Sequence, residues 1–279
     1  MELSLLFEDE IDALIENGLI SPERKVKYLK WISDALEARS RNSMDKRLNQ
    51  YDKAEELMTW YTFAPLLRMN EKQQAETLSE LFGKFGLSIN QPIEISFEKM
   101  LLPSRIYMER IKDHPVRYIR SQIEKHRTKQ LEGYTHIDFY IETSEYIIPI
   151  EAKFMSDISY EVKYNPIRNQ IARTIDVCLE EAKKNNKKVA FMLLVPKAFD
   201  NPGRFYHCKM NDYQEIKKLK DDLKHQDETL EKNYYSSNTI YWSETVSSII
   251  QQSRQMHYLI RELEPLKEFF KERNIILQL

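Results

Sequence analysis

Thiols are nearly absent from this chain of 279 residues: Cys178 and Cys208 are its two cysteines, far apart, with no CxxC and no histidine pair beside them. That argues against a zinc site and suits a reducing, cytoplasmic compartment. Glycine is scarce too, at five residues, which points to a helix-rich globular chain. GKFG at 83–86 has neither the spacing nor the Ser or Thr of a phosphate loop, and GxSxG, HExxH and GxGxxG do not occur. No apolar run approaches the roughly 20 residues of a membrane span. The opening MELSLLFEDEID is acidic where a signal peptide is basic, so neither membrane nor secretion is expected. An excess of one charge is also missing, with 42 Lys and Arg against 44 Asp and Glu, so a nucleic-acid partner must be met by a local basic surface.

The chain is long enough to bury a large core. Helical spacing runs from Leu3 to Ile15, and Ser21 and Pro22 open a second helix with the stripe Val26, Leu29, Ile32 and Leu36. Helices are predicted again from Asp52 to Arg68 and from Glu71 to Phe85, so residues 1–70 read as a helical N-terminal region. PIEISF then alternates like a strand, and a basic helical insertion runs from Arg105 to Lys129. HIDFYI and YIIPIEAKF, separated by ETSE, read as a β-hairpin. Asn165 and Pro166 open a helix carrying Ile167, Ile171, Ile175 and Leu179 and ending near KKNNKK, and VAFMLLV reads as a strand buried on both faces. NPGRFYHCKMNDYQ is loop-like, the charged segment to Asn233 helical, TIYWSE a last strand, and the tail from Thr245 helical. The order from residue 71 is α-β-β-β-α-β, a mixed α/β sheet core occupying 71–279 with C-terminal helices.

Three charges interrupt the hairpin: Asp138, Glu151 and Lys153. Alternation puts Glu151 and Lys153 on one face. With ETSE as a four-residue loop, Ile141 pairs with Tyr146, Asp138 lies opposite Pro149, and Glu151 is its diagonal neighbour on the same face, with His136 beside it. The other face, Ile137, Phe139, Ile141, Ile148, Ile150 and Ala152, is apolar. Two adjacent carboxylates repel when desolvated unless a cation sits between them, and Mg²⁺ prefers oxygen ligands and phosphate oxygens. Acid-x-Lys recurs at Glu23, Glu161, Glu181, Glu215 and Asp222, mostly in helical windows, so the strand context is what singles out Glu151.

At these residues the sequence resembles the PD-(D/E)xK nuclease superfamily, with its restriction-endonuclease-like fold. Asp138, a spacer of twelve residues (139–150) and Glu151-Ala152-Lys153 match its motif, and the likeness covers roughly residues 71 to 196. Ile137 stands where many members have proline. The resemblance implies Mg²⁺, with Mn²⁺ as a substitute, held by Asp138 and Glu151 and further by the Ala152 carbonyl, with Lys153 positioning the attacking water. It also implies Gln170 on the following helix, accompanied by Arg173, and a glutamate from the preceding core helix, for which Glu80 is the match. The implied activity is endonucleolytic cleavage of DNA in restriction, defence or repair; the alternative is an inactive nuclease-like module that binds nucleic acid or assembles proteins. Arg105, Arg110, Lys112, Arg117, Arg120, Lys125, Arg127 and Lys129 would carry the DNA backbone. The N-terminal helices would recognise the target or form a homodimer surface.

Overall fold

The computed structural model describes residues 53–67, 69–112, 133–154, 156–160, 168–255, 270–271 and 275. The two helices expected before residue 50, the homodimer or target surface assigned to them and the basic stretch beyond Lys112 lie outside these residues.

Eight helices are described: α1 (Lys53–Leu67), α2 (Glu71–Gly83), α3 (Arg105–Lys112), α4 (Gln170–Asn185), α5 (Phe205–Asp212), α6 (Ile216–Asp222), α7 (Asp227–Asn233) and α8 (Trp242–Gln255). Five strands, β1 (Glu94–Leu101), β2 (Thr135–Glu142), β3 (Tyr146–Ala152), β4 (Lys188–Val195) and β5 (Tyr234–Tyr241), form one sheet in the order β1-β2-β3-β4-β5. The first three are antiparallel neighbours, and β4 and β5 each run parallel to the strand before. Parallel neighbours need a crossover, supplied by α4 and then by α5 to α7. The molecule is therefore mixed α/β, as expected, with α3 inserted between β1 and β2.

Apolar runs on both faces of the central strands demand cover on both sides, and two cores result. The first packs α1, α2 and α8 on one face through Met58, Phe63, Leu66, Leu78, Phe82, Val246 and Ile249. Phe63 stacks on Phe139 with ring centroids 4.0 Å apart. The second packs α4 to α7 on the other face through Ile171, Ile175, Leu179, Tyr206, Leu219 and Leu230.

Three expectations are corrected by local chemistry. α4 begins at Gln170, because the Asn169 side chain caps it by accepting the Ala172 N–H at 3.1 Å, and not at Asn165–Pro166. It ends at Asn186 in the left-handed region (φ 52), within the KKNNKK cluster. The loop-like stretch after Asn201 contains α5, whose first N–H groups, from Phe205 and Tyr206, donate to the Asp157 carboxylate at 2.7 and 3.0 Å. The last strand starts at Tyr234, well before Thr239.

The hairpin register differs by two residues from the expected one. Ile141 pairs with Ile148, and Tyr140 with Pro149. Thr143 causes this: its N–H donates to the Tyr146 carbonyl at 2.8 Å, and its hydroxyl accepts the Tyr146 N–H at 2.9 Å, closing a tighter turn. A two-residue shift keeps side-chain parity. The apolar face is also not uniform. Phe97 and Phe139 lie in the first core, but Leu101 and Ile137 in the second, and Glu98 between them has φ 49. The β1–β2 ribbon thus turns over at the rung of Asp138.

Candidate functional site

The hairpin's last paired residues are Phe139 and Ile150, so Asp138 and Glu151 are the first residues past the ladder, opposite each other. Past the ladder, the Ala152 N–H is taken by the Asp138 side chain, whose Oδ2 accepts it at 2.8 Å. β3 meanwhile follows β4, where the Lys153 N–H reaches the Leu194 carbonyl at 2.8 Å. The strands part here, and the charged side chains fill the opening.

Glu151 is 2 % exposed and Lys153 8 %, so this is a buried ionic site and not a solvated sheet face. Lys153 Nζ lies 3.2 Å from Glu151 Oε1 and 3.5 Å from Glu55 Oε2. The Gln170 amide, in the first turn of α4, donates to Glu151 Oε1 as well. Gln170 is held in turn by Ser159, whose N–H donates to its Oε1 at 3.3 Å and whose carbonyl accepts its backbone N–H at 3.0 Å. Arg173, one turn on, is half-buried and acts on Glu151 through its charge. The indole of Trp242 donates to the Lys153 carbonyl at 3.0 Å and fixes the strand end.

The structure thus brings Asp138, Glu151, Lys153, Gln170 and Arg173 to one place. It does not bring Glu80, which is exposed on α2 and bonded by Gln252. The helix carboxylate comes from α1 instead. Glu55 accepts the Phe154 N–H at 2.8 Å and the Ser156 hydroxyl at 2.5 Å while reaching Lys153. Its signal was in the sequence: Glu55 continues the stripe of Met58, Thr62 and Leu66, where an apolar residue is the rule. His136 is exposed, and among the described residues no helix is long and apolar enough to cross a membrane. Cys178 is a buried free thiol and Cys208 an exposed one.

Electrostatics explain what the arrangement lacks. Burial, then the neighbouring Glu151 charge, push Asp138 well above the usual carboxylate range, against Lys153 and the Ala152 N–H. Burial raises Glu151 too, opposed by Lys153 and Arg173. Burial disfavours the Lys153 ammonium, but Glu151, Glu55 and Asp138 outweigh it and hold the proton on. Three carboxylates, Asp138, Glu151 and Glu55, against two cations, Lys153 and Arg173, leave the cluster short of positive charge. Glu151 Oε2 is buried with no hydrogen-bond partner among the described residues, which is costly for a carboxylate oxygen.

Among the described residues no three His, Cys, Asp or Glu side chains form a metal-holding group. The protein side of a metal site would therefore be the Asp138 and Glu151 carboxylates, the number with which Mg²⁺ is commonly held beside waters and phosphate oxygens. The unpartnered Oε2 and the excess of negative charge fit such an ion. Because both carboxylates are shifted upward, the folded protein holds protons above about pH 4, and metal must displace them. Stabilisation by Mg²⁺ or Mn²⁺ is accordingly expected to be small near pH 5 and to grow toward about pH 8, read as the metal-induced change in Tm. A metal shift that stays flat across this range would contradict the pairing of the two acids.

Compared with protein-family models, curated proteins and solved structures, the chain matches none.

Proposed function

We propose that this protein is a Mg²⁺-dependent endonuclease of the restriction-like kind, hydrolysing phosphodiester bonds, with DNA as its first substrate. The observation that carries the reading is the buried, unpartnered Oε2 of Glu151 next to the Asp138 carboxylate at the parting of β2 and β3. A divalent ion held there supplies Lewis-acid polarisation of a phosphate and a water that is nucleophilic near neutral pH. Asp138 and Glu151 are the residues that would hold it. Gln170 and Lys153 both engage Oε1 of Glu151, which leaves Oε2 as the oxygen that would meet the ion. Lys153 keeps its proton, so its part is to orient the attacking water and to offset negative charge on the phosphate, not to act as a base.

One observation favours a second reading. Lys153 is enclosed by Glu151 and Glu55, an arrangement that also serves simply to brace a strand end in a module that binds without cutting. Purified protein is to be incubated with plasmid, single-stranded DNA and RNA, each with Mg²⁺, Mn²⁺ or chelator. Cleavage that requires the metal and stops with chelator is the expected result. Binding with neither turnover nor a metal-induced change in Tm would replace the nuclease by the module.

A further inference from the structure

Tyr160 is 63 % exposed, although its ring is stacked on Phe205 with centroids 4.3 Å apart and planes 27° from parallel. The adjacent Ser159 bonds Gln170 through both its N–H and its carbonyl, and Gln170 bonds Glu151. The exposed ring is therefore tied by backbone to the candidate site. Its support is equally fixed: Asp157, three residues earlier, accepts the N–H groups of Phe205, Tyr206 and its own neighbour Ile158. One carboxylate thus clamps the segment bearing Tyr160 to the helix bearing Phe205.

From this geometry we infer that Tyr160, backed by Phe205, is a stacking platform for a nucleobase, and that the substrate has an unpaired base beside the bond that is cut. A base inside a duplex has both faces covered by its neighbours, so an open aromatic ring serves a single strand, an end or an extruded nucleotide. A clamped ring loses little freedom on binding. Stacking tolerates any base, because every base has a π-face. Cationic side chains occur near the same structure. Arg204 directly precedes Phe205 in the chain, and Lys209 Nζ lies 6.0 Å from the centre of the Phe205 ring, on the support of the same platform. The position of the cut rests on the nuclease reading; the base contact does not.

The test is binding of oligonucleotides carrying 2-aminopurine, as single-stranded DNA, single-stranded RNA and duplex DNA. It is run with chelator present and again in an Asp138→Asn background, where carboxylate repulsion is reduced. Wild type and Tyr160→Trp are expected to quench the fluorophore in a single strand. Tyr160→Ala and Tyr160→Leu are expected to lose the quenching and to bind roughly tenfold more weakly, with unchanged Tm. The strand type that shows the effect distinguishes DNA from RNA. Tyr160→Ala that binds and quenches like wild type overturns the platform, as does equally tight binding of intact duplex. Tyr160-dependent binding without any metal-dependent cleavage keeps the platform and removes the nuclease, whereas cleavage with Tyr160-independent binding does the reverse. Failure of both wild type and Asp138→Asn to bind any of the three overturns the platform.

Discussion

Asp138→Asn is expected to lose metal-dependent cleavage by on the order of 10³-fold or more while the fold is kept. The reason for choosing asparagine is structural: its amide oxygen still accepts the Ala152 N–H that Asp138 Oδ2 accepts at 2.8 Å. Only the charge is removed, and with it the repulsion from Glu151 that raises the Asp138 proton affinity. Without metal, the variant is expected to melt at or slightly above the wild-type temperature, and added Mg²⁺ is expected to leave its Tm unchanged. Lys153→Met serves as the contrast. It too is expected to lose cleavage, but with a clear loss of stability, since Glu151 and Glu55 are left buried without their cation. Wild-type cleavage by Asp138→Asn would remove the assigned site; normal melting of Lys153→Met would show that the buried carboxylates do not depend on it.

Arg168→Met is expected to produce the largest loss of stability, about 3 to 5 kcal/mol, or roughly 10 °C in Tm. The Arg168 and Asp176 side chains are 1 % and 0 % exposed and 2.6 Å apart, and the Arg168 guanidinium lies 3.8 Å from the centre of the Tyr107 ring. Asp176 also accepts from Gln226 at 2.9 Å and meets His225 Nε2 at 2.8 Å. Burial alone would raise Asp176, but Arg168 and His225 hold it below its ordinary value. A carboxylate lowered on folding contributes stability above its unfolded value, about 3.9, and that contribution is lost as pH falls through the folded value. Urea unfolding between about pH 3 and pH 7 is therefore expected to show acid weakening in wild type. The pair's share of that weakening is expected to be missing in Arg168→Met, which starts lower. An unchanged urea midpoint at neutral pH would count against the pair. Arg168 and Asn169 directly precede Gln170, so loosening them is also expected to disturb the first turn of α4.

The strands of the hairpin and the gathering of Asp138, Glu151, Lys153 and Gln170 were legible because strand alternation makes a charge conspicuous. Asp138, Glu151 and Lys153 break apolar runs, and Gln170 follows at the start of a helix. What was not legible depended on partners remote in sequence or on a single hydroxyl. Thr143 moved the register by two residues, and nothing in ETSE announces which backbone groups its side chain will satisfy. α5 escaped notice because its cap is Asp157, on another segment altogether. Glu80 and Glu55 both sit on amphipathic helices ahead of the hairpin. The distinction lies in the stripes: Thr77, Leu78, Leu81 and Phe82 turn Glu80 outward, whereas Glu55 extends a buried row.

Lys153 is secured from both directions along the chain, by Glu55, 98 residues earlier, and by the Trp242 indole, 89 residues later. Ordering this strand end therefore requires two long loops to close, contacts that form slowly because their entropy cost comes first. During synthesis the N-terminal glutamate waits for a tryptophan that has yet to be translated. The charged corner is thus complete only once α8 has been made and has docked.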